Sequence, residues 1–182
     1  MVNNVSTFRN MVYSAVFAAA MCVIAPFSVA IGPVPLSFAT FAVYLTAGAL
    51  GWRYGALSVA LYIALGAVGL PVFSAFEGGF HKIAGVTGGY IVGYIPCAMA
   101  VGLAAGRQRH KALAYAAGMA AGTALLYACG TAWFMLATGN ALIPSLALCV
   151  IPFLPGDAAK IAAACIAAPK LRSALSKTSR PY

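Results

Sequence analysis

Six apolar runs, bounded by glycine, proline or basic turns, fill most of this chain between residues 10 and 168. Backbone in lipid must satisfy its own hydrogen bonds, so runs of this kind fold as helices. They cover residues 10–27, 38–50, 54–69, 85–105, 113–136 and 152–168. Crossing a bilayer takes roughly 20 apolar residues, so the second and third runs are short. The stretch 142–151 is too short to cross and is expected to lie at the interface or to re-enter. The chain is 63% hydrophobic and 7% charged, against roughly 25% charged in a soluble domain. At 182 residues it reads as one integral membrane domain, 1–182. The expected fold is all-α, with six transmembrane helices and a short interfacial helix before the sixth. The first apolar run carries no clear cleavage signature and reads as a retained helix.

Six spans put both termini on one side, and charge tests that topology. Arg9, Arg53, Arg107, Arg109, Lys111, Lys170, Arg172, Lys177 and Arg180 all fall on the terminal side, and only Lys82 and Lys160 fall on the other. Cytoplasmic connections collect Lys and Arg, so both termini are expected in the cytoplasm of a bacterial or archaeal cell. The outward connections are then 28–37, 71–84 and 138–154. The first carries Gly32-Pro33-Val34-Pro35 and reads as a loop; the second is the longest and is rich in Gly and Phe. Small residues at four-residue spacing, such as Gly89 with Gly93 and Gly118 with Gly122, let helices approach closely in lipid.

Several chemistries are excluded. There is no phosphate loop for ATP hydrolysis and no Gly-x-Ser-x-Gly nucleophile elbow. The net charge of +9 comes from a shortage of acids, 2 against 11 Lys and Arg, and no basic polar face exists for nucleic acid. His81 and Glu77 stand four residues apart, but one imidazole and one carboxylate fall short of a metal set, and no cofactor is expected. His110 lies in the basic turn and reads as solvated. The five cysteines, Cys22, Cys97, Cys129, Cys149 and Cys165, all sit in apolar runs and read as small hydrophobes.

The acids are Glu77 and Asp157. Ionisable groups in a membrane segment are costly and mark functional sites. Asp157 and Lys160 share a helix face at spacing three, in Pro155-Gly-Asp-Ala-Ala-Lys160 at the outer start of the sixth helix. A helix N-terminus adds free N–H groups and positive potential. Together they suit a small molecule with N–H groups at one end and an anion at the other. The plainer reading is an Asp–Lys pair capping the helix. Aromatics gather on the same face: Phe38, Phe41, Phe73, Phe76, Phe80, Tyr90, Trp133 and Phe134. Interfacial belts use Trp and Tyr, whereas the loop phenylalanines suit a lid over an apolar ligand.

Gly66-Ala-Val-Gly-Leu-Pro-Val-Phe73, Gly78-Gly79 and Gly85-Val-Thr-Gly-Gly-Tyr90 resemble the BioY family, the biotin-specific substrate-binding components of energy-coupling factor transporters. Pro33-Val-Pro-Leu-Ser, Gly130-Thr-Ala-Trp-Phe134 and Pro155-Gly-Asp-Ala-Ala-Lys160 extend the likeness over residues 30–160. The resemblance implies a six-helix bundle that captures biotin from outside. It implies a membrane coupling subunit and two ATP-binding cassette subunits as partners, and an Ala-x-x-x-Ala docking motif that Ala15 and Ala19 fit. Asp157 would accept the ureido N–H groups, and Lys160 or Lys82 would meet the valerate carboxylate. Phe73, Tyr90 and Trp133 would wall the apolar part, with Thr40 and Thr87 also at the site. Ala39 stands where the family often has Gln, and Val86 where it often has Pro. Other readings remain open: a component for another vitamin, a membrane enzyme using Asp157 and Lys160, or a structural assembly subunit.

Overall fold

A computed structural model describes residues 2–31, 34–107 and 112–178, without the side chains of 2–6, 30, 31, 107 and 178. Pro33, Arg109, His110, Lys111 and Arg180 lie outside the described residues. Helix α1 spans Val2–Ile24, and α2 spans Ala39–Leu50. α3 spans Trp52–Ala67, α4 Phe80–Ala84 and α5 Gly88–Arg107. α6 spans Ala112–Thr138, α7 Leu142–Cys149 and α8 Leu154–Thr178. Among the described residues, four stretches are long and apolar enough to cross a membrane: Thr7–Ile24, Gly88–Gly106, Ala112–Thr138 and Leu142–Lys177. α2 has 12 residues, about 18 Å at 1.5 Å per residue, so it ends well short of a full span.

Three expectations need correction. Residues 28–31 and 34–37 are strands and not loop. They form an antiparallel hairpin of β1 (Ser28–Ile31) and β2 (Val34–Ser37), with Ser28 opposite Ser37 and Ala30 opposite Pro35. Each strand has one unpaired edge, which is where proline is tolerated. The 71–84 segment is structured too, with a 3-10 turn at Ser74–Phe76 and then α4. Ala75 and Phe76 have φ of 63° and 57°, a left-handed backbone that costs L residues roughly 1–2 kcal/mol each. The Ala75 N–H meets the carbonyl of Pro26 at 2.9 Å and Ser28 Oγ at 3.0 Å, and Phe76 packs edge-on against Phe27. The hairpin therefore holds this turn in place. Finally, the last helix does not stop at 168 but runs through Pro169 to Thr178. Proline removes only one helical donor, and Ala164 and Ala168 on this helix are fully buried.

The two short helices are joined through Gly51 alone, whose φ of 82° turns the chain in one residue. α5 and α6 lie against each other through glycines. A Cβ at Gly89 would overlap Trp133 and the Cys129 carbonyl, and one at Gly118 would overlap Ala104. This is the close approach that small residues permit in lipid. Buried tyrosines tie the bundle together. Tyr44 and Thr123 hydroxyls share a 2.5 Å hydrogen bond, and Tyr62 donates to the Val72 carbonyl at 3.1 Å. Tyr115 and Arg172 both reach the Gly48 carbonyl, at 3.4 and 3.5 Å. That contact brings the end of α2, the start of α6 and the basic end of α8 to one end of the bundle. Cys97 and Cys149 are buried as expected, whereas Cys129 is exposed.

Candidate functional site

At the other end lies a cavity of about 270 Å³, just under the roughly 300–1,000 Å³ usual for small-molecule sites. β2 forms the wall just before α2 begins, and the N-terminal parts of α2, α5 and α8 converge on the space. β2 supplies Val34 to Ser37, α2 supplies Thr40, α5 supplies Tyr90, Ile91 and Tyr94, and α8 supplies Asp157 and Lys160.

Asp157 is 4% exposed and fully engaged at one oxygen. Its Oδ1 receives Lys160 Nζ at 2.9 Å and, more weakly, Thr40 Oγ1 at 3.5 Å. Its Oδ2 receives the Tyr127 hydroxyl at 2.6 Å. A carboxylate offers about four acceptor positions; with three taken, one remains on Oδ2. Lys160 is saturated. Its Nζ also donates to the Ser37 carbonyl at 2.7 Å and to Thr40 Oγ1 at 3.1 Å, which accounts for all three ammonium donors. Such a pair is worth little to stability against apolar packing, but loss of one member strands a buried charge at about 3–5 kcal/mol. The 3-10 turn Ile151–Phe153 runs straight into α8, and Pro155 has no N–H. The helix start therefore offers fewer free donors than an open N-terminus.

Lys82 pairs with Glu77, and both line the same cavity. Thr87, Tyr90 and Phe73 line it as well. Phe73 is 3% exposed and stands edge-on to Tyr62, with centroids 5.7 Å apart. Tyr90 fills the space left by Gly130, where a Cβ would overlap its ring, and donates to the Cys149 carbonyl at 3.0 Å. Trp133 is a correction. It is absent from the cavity wall; its indole covers Gly88 and Gly89 and donates to the Gly85 carbonyl at 2.9 Å. Phe76 and Phe80 are also turned outward, exposed at 57% and 70%. Of the three loop phenylalanines only Phe73 faces the cavity. Ala39 is buried in the core and Val86 lies on the cavity wall. Ala15 and Ala19 lie on the exposed face of α1. His81 borders the cavity, and no cluster of three or more metal-ligating side chains occurs among the described residues.

Sequence reasoning missed Tyr127, Tyr62, Tyr94, Phe153 and Ser37. Tyr127 comes from a helix whose sequence is apolar nearly all round, so no periodicity marks its inward face. Ser37 acts through its backbone carbonyl, which no residue pattern reports.

The family model described as "BioY family" matches residues 1–177. The chain belongs to the BioY family. A protein of Thermotoga maritima named as a biotin transporter is 36% identical over 164 residues, covering 90% of this chain and 96% of that protein. A probable biotin transporter of Pyrococcus horikoshii is 38% identical over 158 residues, covering 87% and 93%. The crystal structure of the S-component for biotin from an ECF-type ABC transporter superposes with a TM-score of 0.83 at 24% identity, covering 95% of each chain. That likeness is one of fold; with the family match and the long apolar helices, the BioY chain is a helical, multi-pass membrane protein.

Proposed function

We propose that this BioY chain captures biotin outside the cell and delivers it inward as the substrate-specific component of an ATP-driven ECF transporter. It acts as a transport component and not as an enzyme. The observation that carries the reading is the one free acceptor position on Asp157, buried at the wall of the cavity. A ureido N–H placed there gains a charge-assisted hydrogen bond in a site of low dielectric. Tyr127, Lys160 and Thr40 hold the carboxylate in one geometry, so little ordering is left for the ligand to impose. The thiophane ring and aliphatic chain suit Phe73, Tyr90 and Ile91, and Thr87 borders the same space. The acid end of the ligand meets Lys82, because Lys160 has no donor to spare.

Six crossings by α1, α2, α3, α5, α6 and α8 put both termini in the cytoplasm and the cavity outside. The grouping of Arg53, Arg172 and the α8 extension at the end away from the cavity supports this orientation. The chain itself has no nucleotide-binding motif, so a membrane coupling subunit and two ATPase subunits supply the energy. Ala15 and Ala19 on the exposed face of α1 suit close docking of the coupling subunit. The 71–84 segment opens and closes the cavity, and the partners then reorient the loaded bundle.

Titration calorimetry of the detergent-purified chain tests the substrate. One biotin per chain, with no competition from thiamine or riboflavin, is the expected outcome. Displacement of biotin by either of the others would assign a different vitamin.

A further inference from the structure

Glu77 is one of two acids in the chain, and the binding scheme above gives it no work. Yet its carboxylate is seated on Lys82, with both side chains on the cavity wall. Among the described residues Lys82 has no other ionic partner. The other titratable groups on that wall are His81, Asp157, Lys160 and the tyrosines. Asp157 and Lys160 already satisfy each other.

We infer that Glu77 is an internal stand-in for the ligand's acid end, which biotin displaces from Lys82 when it binds. This deepens the biotin reading and rests on it. The two carboxylates exchange on one ammonium, so the ion pair gained with the ligand is offset by the one lost with Glu77. A ligand with a neutral end leaves the Glu77–Lys82 pair intact and pays for no exchange. Glu77 therefore narrows the preference of the site for an acid over a neutral derivative. The displaced side chain has solvent to enter, since it is already 46% exposed. The fold of its segment does not depend on its charge. The Glu77 carbonyl accepts from the Phe73 N–H at 2.8 Å, and the Gly79 N–H reaches the Gly66 carbonyl at 2.7 Å. Both contacts are backbone, and Glu77→Gln keeps them.

The test is titration of the full-length chain with biotin and with biotin primary amide. For Glu77→Gln, biotin binding should tighten about threefold to fivefold, the size of a half-exposed ion pair. Amide binding should stay as in the wild type. In a Lys82→Met background the same substitution should change neither. Weaker biotin binding by Glu77→Gln, or an equal shift for acid and amide, would overturn the inference and leave the biotin reading standing. Failure of the wild type to bind either ligand would remove that reading, and this inference with it.

Discussion

Asp157 with Lys160 and Glu77 with Lys82 are two acid–lysine pairs on one cavity, built in opposite ways. In the first, the side chains are 6% and 11% exposed and held by Tyr127, Thr40 and Ser37. In the second they are 46% and 31% exposed, on a short turn and helix at the mouth of the site. Burial makes the first pair expensive to disturb and fixes its geometry, which suits recognition of a ring with directed N–H groups. Exposure makes the second exchangeable, which suits the acid end of a flexible chain. The difference teaches how depth divides charge at one cavity: a deep pair is held to one geometry, and a shallow pair is open to exchange.

The largest expected effect comes from the deep pair. Asp157→Asn puts an amide where a carboxylate balanced Lys160, and biotin affinity should fall about a hundredfold, equivalent to about 3 kcal/mol. Calorimetry measures it, and a loss under threefold would mean that Asp157 does not contact the ligand. Tyr127→Phe removes the hydroxyl on Oδ2 and leaves the ion pair. A hydrogen bond to a charged group contributes about 1.5–3 kcal/mol, so affinity should fall about tenfold or more, seen as faster dissociation in a filter-release assay. Lys82→Met removes the shallow cation and should weaken biotin only a few-fold. That loss should shrink further in high salt, because exposed charges are screened. Trp133→Phe lies outside the cavity and should leave affinity unchanged while lowering the melting temperature, as one indole hydrogen bond to Gly85 is lost. A Trp133→Phe protein with normal stability and weak biotin binding would return this residue to the site.

The deep pair was readable from sequence because a carboxylate in a chain so poor in acids stands out on its own. Helix positions were readable for the same reason that spans are: long apolar runs leave few other folds. The supports were not readable. Tyr127 lies 30 residues from Asp157, and only the packing of α6 on α8 turns it toward that carboxylate. The hairpin was hidden by Pro33 and Pro35, which read as loop signals, although the unpaired edge of a strand accepts Pro35. Trp133 was expected in the site because its position along α6 is right. The glycines of α5 draw its ring to the helix interface instead. The apolar run ends at 168 and a basic tail follows it, yet the helix continues through Pro169 to Thr178. Position along a helix follows from hydropathy, whereas rotation about its axis depends on which neighbour it packs against.

The claim that the two pairs serve opposite ends of one ligand is tested most directly by a single comparative titration. Asp157→Asn and Lys82→Met are each titrated with biotin and with biotin primary amide, beside the wild type. Asp157→Asn is predicted to weaken both ligands by the same large factor, and Lys82→Met to weaken biotin while leaving the amide unchanged. Equal weakening of acid and amide by Lys82→Met, or an effect of Asp157→Asn confined to the acid, would contradict it.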